Sequence, residues 1–139
     1  MARGGNGAAT VAVGPNEVLR FILEMVALFV LGYAGWNLVD DALVSVVLAT
    51  ALPLLGATVW GVFRVDGDPK VAPVPVPGVV RLCIEVDIFT TAVVLLAVVG
   101  QAVAAGILAV FVVGHYAWGH RRVRWLVRHP GRLPEMREG

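Results

Sequence analysis

Four apolar runs dominate the chain, separated by short polar or Gly- and Pro-rich segments. The first covers residues 18–36 and is interrupted only by Arg20 and Glu24, both near its start. Pro15 and Asn16 precede it as a helix start, with Asn16 suited to the N-cap and Glu17 to the positive end of the helix dipole. The second, residues 42–63, holds 22 residues without a charge. As a helix it reaches about 33 Å, enough to cross the roughly 30 Å hydrocarbon of a bilayer. Pro53 in its middle removes a backbone donor, a loss that neighbouring helices offset inside a membrane protein. The third run, residues 79–99, carries Arg81, Glu85 and Asp87, and Gly100 with Gln101 turns the chain into the fourth, residues 102–118.

The intervening segments complete the organisation. Residues 1–15 are rich in Gly and Ala and lack the apolar core of a signal peptide, so they read as a disordered cytoplasmic tail. Residues 16–63 form a first transmembrane hairpin and residues 79–119 a second. Between them, residues 64–78 contain Pro73-Val74-Pro75-Val76-Pro77, which cannot be helical and predicts an extended, polyproline-like cytoplasmic link. Residues 120–139 are a basic cytoplasmic tail that mixes Val123, Trp125, Leu126 and Val127 with Arg121, Arg122, Arg124 and Arg128. That mixture suits an interfacial segment lying on anionic lipid headgroups. Nucleic acid is not expected as a partner, because a short segment tethered to a span meets lipid first.

Composition supports the same solvent. Of 139 residues, 58% are apolar and 15% charged, against roughly 45–50% and 25% in a soluble domain. So short a chain, wrapped in water, would have too little polar surface to cover it. The formal net charge of +1 hides an asymmetry. Arg3, Arg64, Lys70, Arg121, Arg122, Arg124, Arg128, Arg132 and Arg137 all fall on one side of the four runs, whereas the opposite loops carry no Lys or Arg and hold Asp40 and Asp41. The positive-inside rule then places both termini and the Pro-rich link in the cytoplasm of a multi-pass cell-membrane protein. The single cysteine, Cys83, can make no intramolecular disulfide and reads as a small apolar filler.

The runs also repeat. Val18-Leu19-Arg20-Phe21-Ile22-Leu23-Glu24 and Val79-Val80-Arg81-Leu82-Cys83-Ile84-Glu85 share the order apolar, apolar, Arg, three apolar, Glu. Runs two and four both end Gly-x-x-x-Trp-Gly, at Gly56 to Gly61 and Gly114 to Gly119. The predicted fold is therefore an all-α membrane protein, a four-helix bundle of two parallel helical-hairpin repeats related by an axis along the membrane normal. With Asn16-Glu17-x-x-Arg20-x-x-x-Glu24, Arg81-x-x-x-Glu85 and the segment from Pro53 to Trp60-Gly61, the chain resembles the YrdB family of small four-span membrane proteins over residues 16–120. The resemblance implies that architecture and no reaction.

The residues that can carry chemistry are few: Arg20, Glu24, Arg81, Glu85, Asp87 and His115. Arg20 with Glu24, and Arg81 with Glu85, are four apart and share a helix face. Each pair either neutralises itself locally, or crosses between repeats, Arg20 to Glu85 and Arg81 to Glu24, or lines a polar pocket open to the cytoplasm. Asp87 lies about 200° around the helix from Glu85 and cannot share its face. It points to another neighbour, with Thr90 or Thr91 as partners, or serves as a proton or cation site. His115 reads as a polar interface residue; a metal held by His115, Glu24 and Glu85 is the competing assignment, and no second run offers the histidine that a haem would need. Tyr33, Trp36, Trp60, Tyr116, Trp118 and Trp125 cluster at run ends, as anchoring aromatics do.

No phosphate loop, Ser-His-Asp set, Cys-x-x-Cys pair or His-Glu-x-x-His helix is present. The sequence therefore predicts a non-enzymatic structural or partner-binding membrane subunit without cofactor, forming a homo-oligomer or joining a larger membrane partner. The alternative is a proton- or cation-coupled small-solute transporter using Glu24, Glu85 and Asp87.

Overall fold

The structure is a computed structural model and describes residues 14–64 and 73–128. The N-terminal tail, most of the Pro-rich link and the end of the basic tail lie outside the described residues. The fold is all-helical: α1 (Pro15–Asn37), α2 (Ala42–Val62), α3 (Gly78–Val98), α4 (Ala102–Trp118) and α5 (His120–Arg128). Two two-residue strands, β1 (Phe63–Arg64) and β2 (Val74–Pro75), pair in parallel where the link leaves α2 and approaches α3.

Local chemistry sets the helix ends. α1 starts one residue before the expected cap, with Pro15 in its first turn and Gly14 at the N-cap, so Asn16 is not the cap. Proline favours that first position because its φ is already helical and its missing N–H would have had no partner. Glu17 accepts from the Gly14 N–H at 3.2 Å. Asn37 donates to the Tyr33 carbonyl at 2.7 Å as α1 ends, and Asp41 caps α2 by accepting from Val44 N–H at 2.9 Å. Gly100, at φ 84°, turns α3 into α4 in a left-handed conformation that glycine adopts without penalty.

α1 and α2 lie antiparallel and close. A Cβ on Gly35 would stand 2.6 Å from the Leu48 carbonyl carbon and oxygen, so the helices touch backbone to backbone there. Pro53 cannot donate to Ala49, and that carbonyl faces Gly32, where an added Cβ would meet it at 3.2 Å. The proline and the small residues of α1 thus serve one contact. On its other side α1 packs against α3 and α4: Leu23, Ala27, Val30 and Leu31 meet Phe89, Ala92 and Leu96 of α3 and Ala105 and Leu108 of α4. α1 and α3 point the same way, since Arg20 lies near Glu85 at one end and the Gln101 amide donates to Tyr33 Oη at 3.2 Å at the other.

Polarity is inverted relative to a soluble protein. Glu24, Arg81, Glu85 and His115 are buried, while Phe29 is 75% and Val103 79% exposed. α1, over Glu17–Asn37, and α2 are long and apolar enough to cross a membrane, and α4 with α5 reach that length as a pair bent by 68°. α3 is as long as α2 but carries three charges, Arg81, Glu85 and Asp87. Such helices are compatible with a small membrane protein.

The Gly35 contact gives a stability test. Gly35→Ala, which would force backbone apart, should destabilise the fold by about 1–3 kcal/mol in detergent. Gly106→Ala, with nothing within 4 Å of the added carbon, should be neutral or stabilising by up to about 1 kcal/mol. Thermal unfolding followed by circular dichroism checks both.

Candidate functional site

The polar residues of the interior gather where α1 and α3 begin and α2 and α4 end. Glu85 is their centre, 2% exposed, on the face of α3 that packs against the other helices. Three arginines from three helices converge on it. Arg122 of α5 grips both carboxylate oxygens, at 3.0 and 2.9 Å. Arg81, one turn before it on α3, places Nε 3.4 Å from Oε1, and Arg20 of α1 places Nη2 3.5 Å from the same oxygen. Arg20 also donates from Nε to Glu24 at 2.8 Å. Arg20 therefore bridges the two carboxylates, one within its own helix and one across to α3.

Arg81 has a second task. Its Nη1 donates to the Trp60 and Phe63 carbonyls, both at 2.6 Å. These oxygens belong to the last turn of α2 and the residue that caps it, where helix carbonyls have no partner within the helix and the dipole is negative. The same guanidinium lies 4.9 Å from the centre of the Trp60 ring, and Arg20 lies 6.0 Å from it. The cluster thus ties together α1, α2, α3 and α5. It contains three arginines and two glutamates, a surplus of one positive charge if all are ionised.

Of the residues singled out in the sequence, Arg20, Glu24, Arg81 and Glu85 come together. His115 is buried beside them, its ring 5.3 Å from that of Tyr116, which in turn meets Phe89 edge-on at 6.4 Å. His115 Nδ1 and the Tyr116 hydroxyl are buried without a hydrogen-bond partner among the described residues. No group of three His, Cys, Asp or Glu side chains among the described residues could hold a metal ion. Asp87 stands apart, exposed on the outer face of α3, and Thr90 and Thr91 do not bond to it. Cys83 is on that exposed face too, so it fills no core.

A cavity of about 280 Å³ opens beside the cluster, lined by α1, α2 and α3. Glu24 and Glu85 are its charged residues; Met25, Leu28, Trp60 and Phe89 make most of its apolar wall.

Arg122 is the member that sequence reasoning missed. In the sequence it is one of several arginines in a basic tail, 37 residues from Glu85. The available signal was helical spacing: Arg122 and Leu126 are four apart and share a face. In the structure Leu126 is 1% exposed, and its carbonyl sits directly over Gly78, where a Cβ would collide with it. Gly78 lets α5 lie on the first turn of α3, and that docking aims Arg122 at Glu85. Arg121, Arg124 and Arg128 remain on the exposed side.

Fold and site together define a small all-helical protein whose apolar helices surround a buried charged cluster. Residues 18–113 match the family model described as "Protein of unknown function (DUF2568)". The chain is also 34% identical over 115 residues to the "Uncharacterized protein YrdB" of Bacillus subtilis (strain 168), covering 81% of this chain and 93% of that protein. The chain belongs to this uncharacterised family, as its Arg-x-x-x-Glu motifs suggested. No solved structure matches it.

The geometry ranks the cluster's residues. Removing one member of a buried ion pair costs about 3–5 kcal/mol, because the remaining charge is stranded. Glu85→Ala, which strips the shared acceptor from three arginines, belongs in that range. Arg122→Ala removes both of its hydrogen bonds to buried Glu85 but leaves Arg81 and Arg20 at 3.4 and 3.5 Å from it, so it should cost about 1.5–3 kcal/mol, less than Glu85→Ala. Glu24→Ala should fall between them. Denaturation midpoints in one detergent give the order directly; a Glu24 variant less stable than the Glu85 variant would refute the ranking.

Proposed function

We propose that the chain is a four-span integral membrane protein of the cell membrane without enzymatic activity, serving as a structural or partner-binding subunit. In this reading α1 to α4 each cross the bilayer and form two parallel hairpin repeats. Both termini and the Pro-rich link lie in the cytoplasm, and α5 rests at the cytoplasmic surface. The observation that carries it is the convergence of Arg20, Arg81 and Arg122 on buried Glu85. Every carboxylate oxygen of Glu85 is occupied by the protein's own cations, as expected of a group that holds helices together.

Further observations support the arrangement. α1 and α3 run in the same direction and each packs on its sequence neighbour, as parallel repeats require. The charges of α3 that face inward are matched, so the helix can enter hydrocarbon at much less than the cost of free ions. The exposed face of α5 offers Arg121, Arg124 and Arg128 together with Trp125 and Val127. That is the chemistry of a helix seated on anionic lipid headgroups.

The transporter reading keeps one observation in its favour, the cavity lined by Glu24 and Glu85. Against it stand the three arginines on Glu85, the surplus positive charge, which repels a cationic substrate, and the separation of Asp87 from the other two acids. Reconstituted vesicles discriminate: the structural reading expects a cation or proton flux equal to that of empty vesicles, and a flux abolished by Glu24→Gln would reverse the choice.

Topology is tested independently. Fusions of green fluorescent protein and alkaline phosphatase after Gly139 and within residues 65–72 should fluoresce and lack phosphatase activity, whereas a phosphatase inserted between Leu38 and Asp41 should be active. Phosphatase activity at the C-terminus would overturn the four-span orientation.

A further inference from the structure

The helix α3 has two faces. Arg81, Glu85, Phe89, Ala92 and Leu96 form the buried one. Cys83, Asp87, Thr90, Val94 and Ala97 form the other, and all five are exposed. Their spacing alternates four and three residues, which is the seam of a left-handed helix pair. The side chains are mostly small, which lets backbones approach in lipid.

The seam is also polar where lipid cannot serve it. Asp87 is the tenth of the 21 residues of α3. In the four-span reading, on which this inference rests, it stands near the bilayer centre, where a short side chain cannot reach either interface. Asp87, Thr90 and Thr91 make no hydrogen bond or ion pair with any described residue. The threonines of α2 differ: Thr50 and Thr58 donate to their own helix, to the Val46 and Leu54 carbonyls at 2.9 and 2.7 Å. Lipid-facing threonines are thus satisfied locally on α2, while on α3 two hydroxyls and a carboxyl are left facing outward together.

We infer that this face of α3 binds the same face of α3 in a second copy of the chain, with Asp87 of each protomer hydrogen-bonded to the Thr90 hydroxyl of the other. A second copy is the occupant that fits because the face is self-complementary. It carries an acceptor and donors one turn apart, and a two-fold axis along the membrane normal brings each to the other. All copies inserted in the same orientation can form that parallel pair, and Asp87 at the seam fixes its register, as a single polar seam residue does in helix pairs.

Cys83 supplies the probe. It is the sole cysteine of the chain and lies on the seam, so oxidation of membranes containing the full-length protein with copper–phenanthroline should give a reducible dimer joined at Cys83. In a Cys83→Ala background, Val94→Cys should cross-link as the native protein does. Val110→Cys, exposed on α4 away from the seam, should not. Asp87→Leu should lower the Cys83 dimer about tenfold, the scale of one interhelical polar contact, while Asp87→Asn, which keeps the hydrogen bond, should retain it. Carbonate extraction run in parallel separates the two levels of the argument. A chain retained in the membrane but cross-linked no better at Cys83 than at Val110→Cys, or indifferent to Asp87→Leu, overturns the seam and leaves the membrane reading standing. A chain released by carbonate overturns both.

Discussion

A carboxylate with 2% of its surface exposed must have its charge met by the protein, and Glu85 imposes that demand on four helices. Desolvating an ion costs several kcal/mol, and only close, well-directed partners offset it. Arg122 meets both oxygens in the two-pronged geometry that a guanidinium fork allows. Arg81 and Arg20 complete the shell, and each must then be held in place itself. Arg81 is held by the end of α2, and Arg20 by Glu24. The position of α2's last turn, the tilt of α5 and the parallel course of α1 and α3 all follow from satisfying one buried group. Apolar packing alone would permit many registers of such helices; the cluster selects one.

The glycines act on the same problem from the other side. Exposed valines and leucines on α2 and α4 bury nothing against the rest of the fold, so helix association there depends on close packing at small residues. Gly35 against Leu48 and Gly78 against Leu126 are the tightest of the backbone approaches at glycines among the described residues. The first sets how near α2 lies to α1 and brings Trp60 beside the arginines. The second lets α5 approach α3 and brings Arg122 to Glu85. Both contacts lie apart from the charges they position.

Much of this was legible in the sequence because it is written in local pattern. The four apolar runs became helices within three residues of their expected bounds, and the turn at Gly100 needed only a residue tolerant of positive φ. The spacing of Arg20 with Glu24, and of Arg81 with Glu85, foretold shared faces. What it could not tell was which of the local and crossed pairings would win. Arg20 makes both, whereas no ion pair joins Arg81 to Glu24 among the described residues. The α1 cap was misplaced because Pro15 and Asn16 compete for the start and the rigid ring decides it. Arg122 stayed hidden because its partner lies 37 residues away and nothing local separates it from its basic neighbours. The outward direction of Cys83 and Asp87 was hidden for a related reason, since an apolar run does not say which of its sides faces out.

The two Arg-x-x-x-Glu copies end in different environments, and the cause lies in how α2 and α4 finish. α2 runs into β1, leaving the Trp60 and Phe63 carbonyls for Arg81. α4 continues through Gly119 into another helix: Gly119 N–H donates to the His115 carbonyl at 2.8 Å, and Arg122 N–H to the Gly119 carbonyl at 2.9 Å. The end of α4 is thus met by the chain's own next turn, and the helix that results delivers a third guanidinium to Glu85. The second copy therefore holds the more deeply buried carboxylate, 2% exposed against 9% for Glu24, because only it has a third arginine within reach. An equivalent burial of Glu24 would strand a charge that Arg20, already shared with Glu85, cannot fully offset. The depth of each acid in the fold follows from the number of cations that the adjoining chain can bring to it.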